Sequence, residues 1–175
     1  HFTERVQRAF ELSKHAAMES DYFRLACLYV HGGFYVDVDD LSIRSFEQLR
    51  TRGFQFIAHQ EDLGSIGNNL IGCTARHPII KMALDQATET LQAYANEGPW
   101  FQTGPALLSS AIAAHIVASS TSLSPAAMPI AILSASDYRA IIFPHLPLPY
   151  KNTDASWFHR DYHVTLSASS LSSSS

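Results

Sequence analysis

Apolar positions recur at helical spacing near the start of the chain and at strand spacing beyond it. Residues Phe2 to Lys14 read as a helix with Val6, Ala9 and Phe10 on one face. A second helix is predicted from Met18 to His31, where Phe23, Ala26, Cys27 and Val30 fall three or four apart. Gly32-Gly33 ends it, because glycine accepts the left-handed conformation of a helix terminus. The aromatic and β-branched run Phe34 to Val38 predicts a strand.

Ser45, with Gln48 three residues on, suits a capping box for a short helix over Phe46 to Arg50. Phe54 to His59 alternates as a strand does, and Asn69 to Cys73 is a short apolar strand. Pro78 opens a long helix to about Asn96, which Gly98-Pro99 stops. Pro105 to Val117, rich in Ala and Leu, predicts another helix. Residues Ser119 to Pro129 read as a loop, and Ile130 to Leu133 and Ala140 to Phe143 as late strands. The mixture implies one α/β domain over residues 1–166, with no internal repeat. The almost all-serine stretch 167–175 has no apolar surface to bury and reads as a disordered tail.

Composition changes this picture little. The 175 residues are 46% hydrophobic, enough for one core. Charged residues make up only 16% and the net charge is -4, with no basic stripe, so no nucleic-acid partner is expected. Cys27 and Cys73 sit inside apolar runs without metal-ligand spacing and read as two buried thiols. No apolar run is read as approaching the ~18 residues that cross a bilayer, and no signal peptide is expected within these residues. The chain opens at His1 almost directly in a helical pattern, so it reads as a fragment. Membrane association is expected only through parts outside it.

Candidate chemistry centres on Asp37-Val38-Asp39. Residues two apart on a strand share a face, with α-carbons ~6.5 Å apart if the strand stays extended. Two carboxylates this close repel unless a cation or proton joins them. Mg²⁺ or Mn²⁺ wants oxygen ligands and commonly takes only one or two protein carboxylates, phosphate oxygens and waters supplying the rest. By itself Asp-x-Asp equally describes a solvated acidic turn. Upstream, Asp21 and Arg24 are three apart on one helix face. They read either as a surface ion pair or as an acceptor and donor for sugar hydroxyls. Trp100-Phe101 reads as core packing, with an acceptor-stacking platform as the other option. The histidines, among them His59, His77, His115, His145, His159 and His163, are scattered. Only His159 and His163 have a four-residue spacing, which reads as a chance surface pair. Pro144 to Pro149 is a proline-rich turn with no assigned chemistry.

The run Ser20-Asp21-x-x-Arg24, Leu28, Gly32-Gly33-x-Tyr35-x-Asp37-x-Asp39 resembles the signature of the DXD-containing sugar transferases. That family includes fungal α-mannosyltransferases, α1,4-glycosyltransferases, bacterial capsular polysaccharide transferases and clostridial glucosylating toxins. Asn68-Asn69-Leu70-Ile71, His77-Pro78 and Thr103-Gly104-Pro105 continue the resemblance to about residue 110.

The resemblance implies a GT-A-type, Rossmann-like α/β sandwich whose N-terminal strand would precede this sequence. It implies metal-dependent transfer of a hexose from a UDP- or GDP-sugar, with retention, to a glycan, lipid or protein acceptor. Asp37 and Asp39 would serve the Mn²⁺ or Mg²⁺ ion and the nucleotide diphosphate. Ser20, Asp21, Arg24, Tyr35, Asn68 and Asn69 would serve the donor sugar. The family's closing motif, a histidine and a Ser-Trp pair, fits either Ser156-Trp157 without a well-spaced histidine or His163 without the tryptophan. No carboxylate nucleophile stands out.

Three other readings compete. One is a non-catalytic module of the same fold. A second is an aspartate-nucleophile phosphatase, with Asp37 attacking phosphorus, although Leu41 stands where that family has threonine or valine. The third, a Ca²⁺-binding EF-hand loop, fails at Leu41 and at Ser42, where it needs an oxygen ligand and a glycine.

Overall fold

The computed structural model describes residues 3–93, 97–121 and 128–153. In chain order these form α1 (Glu4–Glu11), α2 (Ala16–His31), β1 (Gly33–Val36), β2 (Leu41–Ser42), α3 (Glu47–Arg50), β3 (Phe56–Gln60) and β4 (Ile66–Cys73). Then come α4 (Pro78–Gln92), α5 (Pro99–Gln102), α6 (Pro105–Thr121), β5 (Ile130–Leu133), α7 (Ala135–Arg139), β6 (Ile142–Phe143) and a 3₁₀ turn (Pro149–Asn152). The architecture is mixed α/β. A four-stranded sheet runs β1-β4-β3-β5, and β2 pairs with β6 separately. β4 is antiparallel to both neighbours, whereas β3 and β5 are parallel. A parallel pair needs a crossover, and α4 to α6 supply it.

Strand alternation divides the core between the two sheet faces. Phe56, Ala58 and Ile71 pack with Met18, Tyr22, Leu25, Leu84, Leu108 and Ile112 from the helical side. Ile57, Leu70 and Leu133 pack with Leu49, Tyr138, Ile141 and Ile142 on the other. Each such large side chain contributes about 1.5–3 kcal/mol on full burial.

Helix α2 carries the site, so its orientation matters. Its buried stripe is Met18, Tyr22, Leu25 and Leu28, with Asp21 and Arg24 buried on the flank. Phe23 points outward at 58% exposure. The helical face predicted through Phe23 is therefore rotated, because Asp21 and Arg24 claim part of the buried arc. Gly32 ends the helix at φ 63°, and a β-carbon there would lie 2.5 Å from the Ala75 nitrogen. Only glycine satisfies both the backbone conformation and that approach.

Other expectations shift. Strand β1 stops at Val36, so the aspartates follow it in a turn rather than lying on it. β4 begins at Ile66, three residues before the predicted start. The segment expected as a strand from Ala140 is instead a turn that caps α7, followed by the two residues of β6. Ser134 caps α7, its Oγ accepting from the Asp137 amide at 3.1 Å. Trp100 and Phe101 are 44% and 57% exposed on α5, not core residues. Cys27 and Cys73 are free and half-buried. The stretch Pro99–Ser120 is long and apolar enough to cross a bilayer. Here Leu107, Leu108, Ala111 and Ile112 of that stretch are buried in the core.

Candidate active site

The site lies where α2, β1, the turn after β1 and the bend of β4 meet. Arg24 is its organising group. Its Nη1 donates to the Asn68 carbonyl at 2.6 Å, and Nη2 donates to Ser20 Oγ at 3.2 Å. The same Nη2 pairs with Asp21 Oδ1 at 3.0 Å and Asp37 Oδ1 at 3.2 Å. The guanidinium also lies over the Tyr35 ring, 4.4 Å from its centroid. Tyr35 donates its hydroxyl to Asp37 Oδ1 at 2.8 Å. Asp21 accepts from Asn68 Nδ2 at 2.8 Å and from Thr103 Oγ1 at 3.0 Å. The Asp21–Arg24 pair is thus buried and fully bonded, not a surface pair. Ser20, Asp21, Arg24, Tyr35, Asp37 and Asn68 form one network.

Asn69 joins a second group. The turn after β1 closes with the Asp40 amide donating to the Asp37 carbonyl at 3.0 Å. This separates the carboxylates, which an extended strand would have aligned. Asp37 faces Arg24, while Asp39 and Asp40 lie beside His145, their ligand-type atoms all within 4.8 Å of one another. Asp40 Oδ2 accepts from Asn69 Nδ2 at 2.5 Å and from the Tyr138 hydroxyl at 2.8 Å. Asp40 Oδ1 accepts from the His145 amide at 3.0 Å. Asn69 Oδ1 is held by His59 Nε2 at 2.6 Å, and the His59 ring stacks on Tyr138 with centroids 3.8 Å apart. The segment after β6 is pinned across the turn by the Leu146 amide, which donates to the Asp39 carbonyl at 2.7 Å. Farther along it, Lys151 Nζ forms an ion pair with Asp39 Oδ2.

Asn68 and Asn69 serve opposite faces, as neighbours on a strand do, but a bulge in β4 reverses which face each one takes. Between Ile57↔Gly72 and His59↔Gly67 the β3–β4 register shifts. Ile71 belongs to the helical-side core and Leu70 to the other. Regular alternation would then send Asn69 to the Asp21 side and Asn68 away from it. The bulge reverses them, a common device next to active sites. At Gly67 the backbone approaches His59 so closely that a β-carbon would lie 2.3 Å from Nε2.

Burial and charge set the protonation balance. Burial pushes the Asp21 carboxyl up to about 6, against the opposing pull of the Arg24 charge. Burial also raises Asp37, again opposed by Arg24. Asp39 goes the other way. Burial alone would raise it, but the hydrogen bond and charge of Lys151 together bring it below the usual carboxylate range. Burial pushes the Tyr35 hydroxyl up to about 12, so it remains a donor to Asp37.

The donor set fits a divalent cation. Two carboxylates and an imidazole nitrogen converge, and the Lys151 ammonium already stands on Asp39 as a cation would. Sequence reasoning gave no role to Asp40, Tyr138, His145 or Lys151. Asp40 was visible beside Asp39. The others lie about a hundred residues downstream with no motif spacing, and only the fold brings them in. Ser156, Trp157, His159 and His163 lie outside the described residues.

Comparison with known proteins bears on the same stretch of chain. Residues 1–60 match the family described as the glycosyltransferase sugar-binding region containing DXD motif. No curated protein matches the chain. The solved structure described as PaToxG Glycosyltransferase is similar, with 28% identity and a TM-score of 0.50. That likeness covers 58% of this chain and 36% of that one, so this chain spans about a third of its length. Together these findings give residues 1–60 a likeness to a DXD sugar-transferase region, and the described part an α/β fold similar to that of a glycosyltransferase.

Proposed function

We propose that this chain forms the metal- and sugar-binding part of a retaining glycosyltransferase. The reaction would move a hexose from a UDP- or GDP-linked donor to a glycan, lipid or protein acceptor. One observation carries the reading: a polar network rich in sugar-type donors and acceptors adjoins a cation-binding group, and one four-residue turn feeds both.

Asp39, Asp40 and His145 would hold the ion. The mixed oxygen and nitrogen donors favour Mn²⁺ over Mg²⁺. When bound, the ion neutralises charge on the leaving diphosphate. Asp37 is the most accessible carboxylate of the polar network, its side chain 27% exposed, and would accept from a ribose or sugar hydroxyl. Ser20 and Asn68 line the same network. Asp21 and Arg24 would act from the wall of the subsite, fixing Asn68 and Asp37 in place. Asn69 would hold Asp40 at the metal rather than reach far into the sugar subsite. Such preorganised polar groups cost little reorganisation when charge develops.

The test is nucleotide-sugar binding and hydrolysis with and without Mn²⁺. Wild type is expected to depend on the metal, and Asp39→Ala to lose the dependence. Metal-independent behaviour in both would overturn the reading. Metal-dependent binding with no hydrolysis would leave a non-catalytic module of the same fold.

A further inference from the structure

Lys151 belongs to neither the sugar network nor the ligand group, yet its ammonium is paired with one of the ligand carboxylates. Its ammonium sits directly on Asp39 Oδ2, the oxygen that His145 Nδ1 faces at 3.7 Å. The Asp39 side chain is 11% exposed and that of Lys151 28%, so the pair is largely screened from water.

The other two acidic groups of the turn are provided for differently. Asp37 has the Arg24 guanidinium. Asp40 has three neutral donors, from Asn69, Tyr138 and the His145 amide. Asp39 is therefore the ligand whose charge is met by a lysine ammonium. Asp39 and Asp40 carry two negative charges, and one ammonium offsets only one of them. A divalent ion would offset both.

We propose that Lys151 is the resident counter-cation of this site, and that a divalent metal enters by displacing its ammonium from Asp39. The proposal rests on the metal reading above. The anchoring favours exchange. Leu146 ties the segment backbone to Asp39, while the lysine acts through a flexible four-carbon stem. The ammonium can leave without the backbone moving. Lys151 then sets how tightly the metal is held and keeps the acidic turn folded when metal is scarce.

The experiment titrates Mn²⁺ into wild type, Lys151→Met, Lys151→Arg and Asp39→Ala, reading free Mn²⁺ by electron paramagnetic resonance. Lys151→Met is expected to bind Mn²⁺ about three- to tenfold more tightly, the range of a partly screened ion pair. Lys151→Arg keeps a competing cation and should stay close to wild type. In chelator, Lys151→Met should melt below wild type, yet show the larger rise in Tm when Mn²⁺ is added. Both melting readouts are independent of turnover. Equal or weaker Mn²⁺ binding by a folded Lys151→Met would overturn displacement while leaving the metal site standing. Absence of Mn²⁺ binding in both wild type and Lys151→Met would overturn the metal reading itself, and the proposal with it.

Discussion

At the scale of single residues, Arg24 and Asp21 have the most to lose. The Arg24 guanidinium satisfies a carbonyl, a hydroxyl and two carboxylates at once. An ammonium has neither the plane nor the reach for all four. Arg24→Lys is expected to cost about 2–4 kcal/mol, because it leaves buried charge imperfectly paired. Denaturant unfolding would read this directly, and a cost below about 0.5 kcal/mol would refute it.

Asp21 gives a pH prediction. Its folded pKa, about 6, is above the ordinary 3.8, so the native state takes up its proton first as pH falls. Its contribution to stability is thus fully present below pH 3.8 and is lost as pH rises through 6. The stability of wild type minus that of Asp21→Asn should decline across this window. A flat or rising difference would refute the shift. Donor binding should move oppositely and weaken below pH 6, since a protonated Asp21 holds Arg24 less firmly. Calorimetric titration of the donor at several pH values would detect this.

At the scale of elements, the α2–β1 joint is the most constrained. Gly32→Ala would force both a strained backbone and a clash with Ala75. A loss of at least about 2 kcal/mol is expected, seen as a lowered Tm. This joint was legible in the sequence, since a glycine pair between a helical run and a strand run has few other meanings. So were α4, opened by Pro78, and the helix after Gly104-Pro105. The rotation of α2 was not. Phe23 reads as core by hydrophobicity, but burying Asp21 and Arg24 as a bonded unit turns that flank inward. The end of β1 was equally hidden. Nothing in Tyr35 to Asp39 says that the strand stops before the first aspartate, a consequence of the i to i+3 hydrogen bond that Asp40 closes.

At the scale of the whole molecule, the two core clusters on opposite sheet faces make the site a seam between layers. The Arg24 network faces the helical layer, and the Asp39–Asp40–His145 group faces the layer of α7 and β6. The near half was legible, because Ser20, Asp21, Arg24, Tyr35 and Asp37 are close in sequence and their spacing is informative. The far half was not. Tyr138, His145 and Lys151 reach Asp39 and Asp40 only through long-range packing, which no local pattern encodes. Metal binding should therefore stabilise the fold globally. With Mn²⁺ at a hundred times its Kd, mass action adds about 2.7 kcal/mol. Wild type should show this as a rise in Tm and Asp39→Ala should not; equal responses would place the ion elsewhere.

The bulge in β4 acts as a half-period phase shift written into one strand. Removing one residue there would do more than shorten the strand. Deleting Asn68 would restore the side-chain alternation between Gly67 and Leu70, swing Asn69 round to Asp21 and leave Asp40 without its side-chain amide donor. The two halves of the site would then no longer be in step. The Arg24 network and the Asp39–Asp40 group share a single ruler, so length changes in this strand cannot adjust one without resetting the other.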